Sequence, residues 1–279
     1  MTVRLAWGES APPIASSASW RAFVAKEMKP DLDLEVAWAK DLQQHGDRVF
    51  ESGGPWNLYR EGDRLSFRVF SSLLGPEPYE VARVTSDFRS GDLLLRPSAF
   101  AEGVPVDPLQ FPLDELLVIH LLGTGLGVEV HACGIIENDR GVLFCGQSGD
   151  GKTTTARLWE RVPGARILSD DRIILRREEG QFWIYGTPWH GEAMFAENAR
   201  APLSAVFVLD RGDTNRAVPL EPQDAIALLL ARSFVPFHDA GAIGFTLRFL
   251  EELVSSVPVY RLAFVPDASA TGFVRGLVR

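Results

Sequence analysis

The chain has 279 residues, of which 46% are hydrophobic and 23% are charged, and its formal net charge is −9. This length and composition allow one large globular domain or two smaller ones. The negative charge argues against a nonspecific nucleic-acid binder, and no apolar run approaches the ~20 residues that cross a bilayer.

The cysteines and the N-terminal sequence indicate the compartment. Cys133 and Cys145 are the two cysteines of the chain, and both lie in apolar, strand-like segments. No apolar segment follows a basic start, so no signal peptide is expected. We therefore predict a cytoplasmic protein with no disulfide framework and with neither nucleic acid nor a membrane as a partner.

Residues 1–108 are predicted to form a β-rich N-terminal region of unknown role. Within this region, residues 31–46 are expected to form a helix, although the apolar periodicity is imperfect. Residues 64–105 contain three strand-like patterns separated by Gly-Pro and Ser-Gly turns.

Residues 109–279 are predicted to form a second domain of the α/β class. Its first helix is expected at 112–123, because Pro112 and Gly123 are start and stop signals. A hairpin is predicted next, with two strands that meet at residues 138–140. The later elements are predicted as helices at 152–162, 223–234 and 243–255, with strands at 165–170, 172–177, 181–186, 203–212 and 259–264.

Three glycines stand between the second hairpin strand and the following helix. Residues 146–153, GQSGDGKT, match the phosphate-binding pattern G-x-x-x-x-G-K-[ST]. Glycines let backbone N–H groups surround phosphate oxygens, Lys152 reaches the terminal phosphates, and the Thr153 hydroxyl ligates Mg²⁺. The predicted nucleotide-binding residues are Gly146, Gln147, Ser148, Gly149, Asp150, Gly151, Lys152, Thr153 and Thr154.

Asp170 and Asp171 come directly after a short apolar strand. One carboxylate can ligate Mg²⁺ beside Thr153, and the other can accept a proton from an attacking hydroxyl. Adjacent strand residues point to opposite faces, so both serve one site only if the strand has ended or twisted there. The alternative is that one aspartate is a turn residue. His131, on the strand before the loop, is either a structural core residue or a third member of the site.

The segments HACGI, GVLFCGQSGDGKTTTARL and ARILSDDRII together resemble the C-terminal catalytic domain of the HPr kinase/phosphorylase family. The resemblance covers roughly residues 110–270. It implies a mixed β-sheet kinase core related to phosphoenolpyruvate carboxykinase. Some relatives modify precursor peptides in lasso-peptide pathways.

The resemblance also implies residue roles and cofactors. It implies transfer of the γ-phosphoryl group of ATP to a serine hydroxyl, with Asp170 as general base. It places Asp171 and Thr153 on Mg²⁺, with His131 supporting the phosphates and carboxylates. Catalytic roles thus fall to Asp170, His131 and Lys152.

One segment departs from the family pattern. Residues 186–194, GTPWHGEAM, stand where HPr kinases carry an Arg-Gly-x-Gly segment, and the arginine is absent. Trp189, His190 and Glu192 in this loop are candidates for the substrate side, or the tryptophan packs back onto the sheet. No family match is detected in residues 1–105.

These features favour an ATP- and Mg²⁺-dependent kinase acting on a Ser or Thr hydroxyl of a peptide or small protein. A small-molecule or carboxykinase-like phosphotransferase is one alternative, and a noncatalytic nucleotide-binding regulator is another. The sequence leaves the acceptor open, and a homo-oligomer is possible on these grounds.

Overall fold

Strands dominate the N-terminal part of the chain because its apolar residues alternate with polar ones. Leu32, Leu34 and Val36 are at most 1% exposed and lie in the strand Leu32–Trp38. The helix expected over 31–46 is therefore wrong, because a period of two places these three side chains on one buried face. The computed structural model describes residues 1–7, 18–25, 28–42 and 46–278, so residues 43–45 of that prediction lie outside the described residues.

The chain divides into two compact units, Met1–Thr124 (unit 1) and Gly125–Arg279 (unit 2). The sequence-based boundary lies at 108/109 and assigns the helix Leu113–Leu121 to the second domain, whereas the contacts of the structure assign it to unit 1. The result is a mixed α/β protein with a β-rich N-terminal unit. Among the helices of the described residues, none has the length and apolar character needed to cross a membrane.

Unit 1 is built on one sheet with the strand order β1-β2-β7-β6-β5-β4-β3 in its described residues. The β1–β2 and β2–β7 pairs are parallel, and the other pairs are antiparallel. Its elements are β1 Val3–Trp7, α1 Ala18–Arg21, β2 Leu32–Trp38, β3 Asp47–Glu51, β4 Trp56–Glu61, β5 Arg64–Val69, β6 Glu80–Thr85, β7 Ser90–Leu95, a 3₁₀ turn Pro97–Ala99, and α2 Leu113–Leu121.

The middle strand β5 is covered on both faces. Phe67 is fully buried, and its ring makes an edge contact with His120 of α2 at 4.8 Å between centroids. Arg68 is also buried, and its guanidinium donates to Glu61 at 2.8 Å while covering the Tyr59 ring at 3.6 Å. This pairing compensates the cost of burying the arginine charge.

Unit 2 begins within a π-helical turn, Leu122–Leu126, and has helices on both faces of its sheet. Its elements are β8 Val128–Glu137, β9 Arg140–Cys145, α3 Lys152–Glu160, β10 Arg166–Ser169, β11 Arg172–Glu178, β12 Gln181–Tyr185, β13 Arg200–Arg211, β14 Arg216–Pro219, α4 Pro222–Leu230, β15 Ser233–Phe234, α5 Ala240–Ser256, β16 Val259–Phe264 and α6 Ala268–Leu277.

The long strand β8 organises the unit 2 sheet. On one side it pairs with β10 and β11, and on the other with β9 and β15. Strand β9 continues to β13 in parallel, β13 meets β12, and β12 meets β11, so the pairings close into a ring. Two strands that precede loops with polar side chains, β9 and β10, therefore flank the same strand.

Successive side chains of β9 point alternately into two hydrophobic layers on the two faces of the sheet. Val142 and Phe144 lie in the layer that contains α3 and α6, whereas Leu143 and Cys145 lie in the layer that contains α4 and α5. The predicted β8–β9 hairpin is confirmed: its turn residues Asn138 and Asp139 have φ values of 49° and 60°. Two consecutive residues in this conformation are typical of tight hairpin turns with Asn or Asp.

Candidate functional site

The glycine loop (residues 146–152) joins the end of β9 to the start of α3, as the sequence predicts. Gly149 and Gly151 have φ values of 88° and 105°, which L side chains rarely adopt. A Cβ on Gly151 would also lie 2.8 Å from Phe264 Cζ. Two of the three glycines are thus required by backbone conformation, and Gly151 also by close packing.

The side chain of Lys152 folds back into the glycine loop. Its Nζ donates to the carbonyl oxygens of Gly146 at 2.9 Å and Gln147 at 3.0 Å. Lys152 is buried, and this burial lowers its pKa, while the charges of Asp171 and Asp150 act in the opposite direction. The ammonium group is therefore held by groups of its own loop and by two nearby carboxylates.

The outer part of the glycine loop is open to solvent. Gln147, Ser148 and Gly149 are exposed, and Thr153 and Thr154 in the first turn of α3 are half-buried. No side chain caps the start of α3 at Gly151. The first N–H groups of a helix lack intrahelical partners and carry partial positive charge, so they suit an anion.

Asp170 and Asp171 lie between β10 and β11, which both pair with β8. A register shift between Ile167 and Ser169 distorts β10 just before this pair. The ladder then resumes, with the N–H of Ala132 donating to Asp171 O at 3.0 Å. The aspartates are therefore at an irregular point of the strand, where the sequence analysis required a break or twist.

Asp170 is 1% exposed and faces the backbone of the loop after β12. Its Oδ1 accepts the N–H of Gly191 at 2.9 Å, and its Oδ2 accepts the N–H of Ala193 at 3.0 Å. Its charge also helps raise the pKa of the Cys133 thiol, although burial of that thiol is the larger cause. Asp170 thus anchors a loop beside the strand that leads to the glycine loop.

Asp171 contacts side chains instead. His131 Nε2 lies 3.2 Å from Asp171 Oδ1, and Arg172 Nη1 donates to Asp171 Oδ2 at 2.9 Å. The hydrogen bond from His131 and the charge of Arg172 hold the pKa of Asp171 below its usual value, against the effect of burial. The structure therefore brings His131, Asp171 and Lys152 together, while Asp170 points to a different set of partners.

The sequence analysis missed three residues around this cluster. Arg172 Nε lies 3.2 Å from an oxygen of the fully buried Glu129, and the Arg172 guanidinium covers the Phe234 ring at 4.8 Å. Glu129 is two residues before His131 on β8, so strand periodicity could have placed both on one face. Phe234 comes from β15, whose pairing with β8 is not visible in the local pattern.

The loop with the predicted substrate-side residues is fixed by its backbone. Ser169 Oγ donates to Trp189 O at 2.8 Å, and a Cβ on Gly191 would lie 2.8 Å from Asp170 Oδ2. Trp189 and His190 are half-buried, and Glu192 is exposed. The structure thus brings this loop against the Asp170 region, and its role toward a substrate stays a prediction.

Cys133 and Cys145 are both buried and unbridged. Burial raises the pKa of Cys145 to about 12 and that of Cys133 further. Thiols in this state are protonated at neutral pH and weakly reactive. They act as core residues of β8 and β9.

The geometry defines an α/β protein with a strand–glycine loop–helix unit and an adjacent Asp–His pair. The family model of the SynChlorMet cassette protein ScmC matches residues 115–266, which is more than half of the chain. The chain belongs to this family. The matched range includes the glycine loop, both aspartates and the loop after β12.

No curated protein matches the chain. Among solved structures, the HPr(Ser) kinase/phosphatase from Coxiella burnetii is similar over 53% of this chain and 95% of its own, with 16% identity and a TM-score of 0.32. The family whose model matches is ScmC and not the HPr kinase family that the motifs resemble.

Proposed function

We propose that the chain is an ATP- and Mg²⁺-dependent kinase that phosphorylates a serine or threonine hydroxyl of a peptide or small protein. The observation that carries the proposal is the position of the glycine loop between β9 and α3, with Lys152 inside it and the charge of Asp171 acting on that lysine. Phosphoryl transfer depends mainly on positioning and on charge stabilisation, and these groups supply both.

The glycine loop binds the phosphates of ATP in this proposal. Its exposed backbone at residues 147–149 and the uncapped start of α3 present N–H groups to an anion. Lys152 exchanges its two carbonyl contacts for the terminal phosphates. Because those contacts come from the loop itself, the exchange requires no other element to move.

Thr153 and Asp171 would hold Mg²⁺, which neutralises charge on the transferring phosphates. Both offer hard oxygen donors, and Asp171 is partly exposed with a lowered pKa, so it is ionised at neutral pH. In the part of the chain that the structure describes, no group of three or more His, Cys, Asp or Glu side chains could hold a metal ion. Mg²⁺ tolerates this arrangement because it is usually bound by one or two carboxylates, with phosphates and water completing the shell.

Asp170 is assigned as the general base, and His131 as the group that orients Asp171. The carboxylate of Asp170 has capacity beyond its two backbone hydrogen bonds, because an ionised carboxylate offers about four acceptor positions. The reverse assignment, with Asp171 as base, is an outcome that the experiments below distinguish.

The acceptor class rests on the resemblance of the motifs to peptide-modifying relatives of HPr kinases. Trp189, His190 and Glu192 would contact the acceptor, because their loop is fixed to Asp170 through the N–H groups of residues 191 and 193. An acceptor on this loop would be close to the proposed base.

Incubation with ATP, Mg²⁺ and candidate peptides from neighbouring genes, followed by mass spectrometry, tests the proposal. We expect one Ser or Thr to gain a phosphoryl group, and Lys152→Ala to lower the rate by at least ~10²-fold. Arg157→Ala is the control, because Arg157 is exposed on the same helix. Near-wild-type turnover in Lys152→Ala would remove the glycine loop from catalysis. Nucleotide binding with no phosphorylated product would instead favour a regulatory module.

A further inference from the structure

A second cation stands at the glycine loop, at the end of β13. Strand β13 runs parallel to β9, with Val208 opposite Cys145. Residues beyond 208 therefore run alongside the first residues of the glycine loop. Arg211 is the last residue of β13 and is exposed.

The guanidinium of Arg211 touches the loop itself. Its Nη2 lies 3.4 Å from Gly149 O, and a Cβ placed on Gly149 would be 3.9 Å from the same nitrogen. A hydrogen bond of this length is weak and leaves most of the donors of a guanidinium available. Arg211 is therefore at the loop without a strong partner there.

Some other exposed arginines of unit 2 lie against carboxylates. Arg166 pairs with Glu197 at 2.6 Å, and Arg177 pairs with Glu252 at 3.0 Å. Among the described residues, Arg211 takes part in no ion pair with an acidic side chain. A cation that contacts only a carbonyl can bind an incoming anion without first breaking an ion pair.

We propose that Arg211 is a nucleotide-binding residue that contacts the polyphosphate at the glycine loop, as a second cation beside Lys152. The proposal rests on the proposed function, because it requires a nucleotide in that loop. Both cations contact loop carbonyls, at Gly146 and Gln147 for Lys152 and at Gly149 for Arg211. Phosphates on the loop N–H groups would thus be close to two positive groups. This arrangement favours di- and triphosphates over monophosphates.

Binding of ATP, ADP and AMP to wild-type, Arg211→Gln and Arg216→Gln chains tests the proposal by calorimetry. Arg216 is a matched control, because it is an exposed arginine of β14 in the same sheet. We expect Arg211→Gln to weaken ATP binding about 10- to 100-fold, the value of one charge-assisted hydrogen bond. The affinity for AMP should fall less than twofold in Arg211→Gln, and Arg216→Gln should bind all three nucleotides as wild type does. Added salt should weaken ATP binding less in Arg211→Gln than in wild type.

Each contrary result has a distinct meaning. ATP binding within twofold of wild type in Arg211→Gln, with Lys152→Ala still defective, overturns the role of Arg211 and leaves the proposed function intact. An equal loss for ATP and AMP overturns the polyphosphate contact in favour of a nucleoside contact. A wild-type chain that binds no nucleotide overturns both proposals together. Thermal unfolding of each variant checks the fold, which an exposed arginine should not affect.

Discussion

Replacement of Asp170 by asparagine separates catalysis from anchoring. In the wild-type chain both carboxylate oxygens accept backbone N–H groups, from Gly191 and Ala193. An asparagine keeps one of these bonds through its carbonyl oxygen but presents its NH₂ group to the other N–H. One charge-assisted hydrogen bond is lost, and one buried donor is left without an acceptor.

The magnitude follows from these two bonds. Loss of a hydrogen bond to a charged group, with a buried N–H left unpaired, costs about 2–4 kcal/mol. Removal of a buried charge also relieves its desolvation penalty, so the net loss is near the lower end, about 2 kcal/mol. For a protein of this size, that loss lowers Tm by about 4–8 °C. If Asp170 is also the general base, turnover falls by roughly 10²–10⁴-fold while ATP affinity stays close to wild type.

Three measurements on the same preparations give the answer: Tm by calorimetry, ATP affinity by titration and turnover by ADP release with the phosphorylated peptide. Gly191→Ala is the matched control, because its Cβ would lie 2.8 Å from Asp170 Oδ2 and disturbs the anchor without removing the carboxylate. An unchanged Tm in Asp170→Asn would refute the anchoring argument. Wild-type turnover at a lowered Tm would refute the base, and equal rate losses in both variants would assign the effect to the loop.

Two further predictions concern Asp171 and Gly151. Asp171→Asn should raise the Mg²⁺ concentration that gives the half-maximal rate. The pKa of Asp171 is lowered in the folded chain, so the ionised carboxylate stabilises the fold above about pH 4 and this contribution is lost below it. The difference in Tm between Asp171→Asn and wild type should therefore shrink in acid. An Mg²⁺ requirement that moves with Asp170→Asn instead would reverse the two roles. Gly151→Ala should destabilise the chain by about 1–2 kcal/mol from its positive φ and further through contact with Phe264, and should weaken ATP binding. Gly164→Ala, with φ of 83° and open space around it, isolates the backbone cost, so equal losses in the two variants would exclude the Phe264 contact.

The sequence predicted the structure correctly where the structure depends on residues that are close together in the chain. The β8–β9 hairpin follows from two apolar runs and an Asn-Asp turn, and the helix at 112–123 follows from its end signals. The same reasoning failed at Leu32–Trp38, where a helix was predicted despite an imperfect helical periodicity and every second residue is instead apolar and on one face of a strand. Helix α6, Ala268–Leu277, was not predicted, since Gly272 and Gly276 are poor helix formers and its start depends on the Asp267 cap.

The partners of the site residues depend on pairings between distant segments. Asp170 and Asp171 are adjacent in sequence, yet one contacts the backbone of residues 191–193 and the other contacts His131. This division follows from the pairing of β10 and β11 with β8. Arg211 is similarly unremarkable in sequence and reaches Gly149 because β13 pairs in parallel with β9. A motif places residues near one another along the chain, and these contacts come from the sheet order.

In the proposed kinase, Asp170 and Asp171 would each have to give up some of their present contacts, and the two contacts differ in kind. Asp171 is partly exposed, so it can meet Mg²⁺ by exchanging one contact with His131 or Arg172. Asp170 is 1% exposed, and both of its oxygens hold the loop that carries Trp189 and His190. Proton acceptance by Asp170 therefore requires this loop to move enough to expose one oxygen. An acceptor that binds to the loop and shifts it would expose the base as it arrives, which would restrict proton transfer to the complex that contains the acceptor.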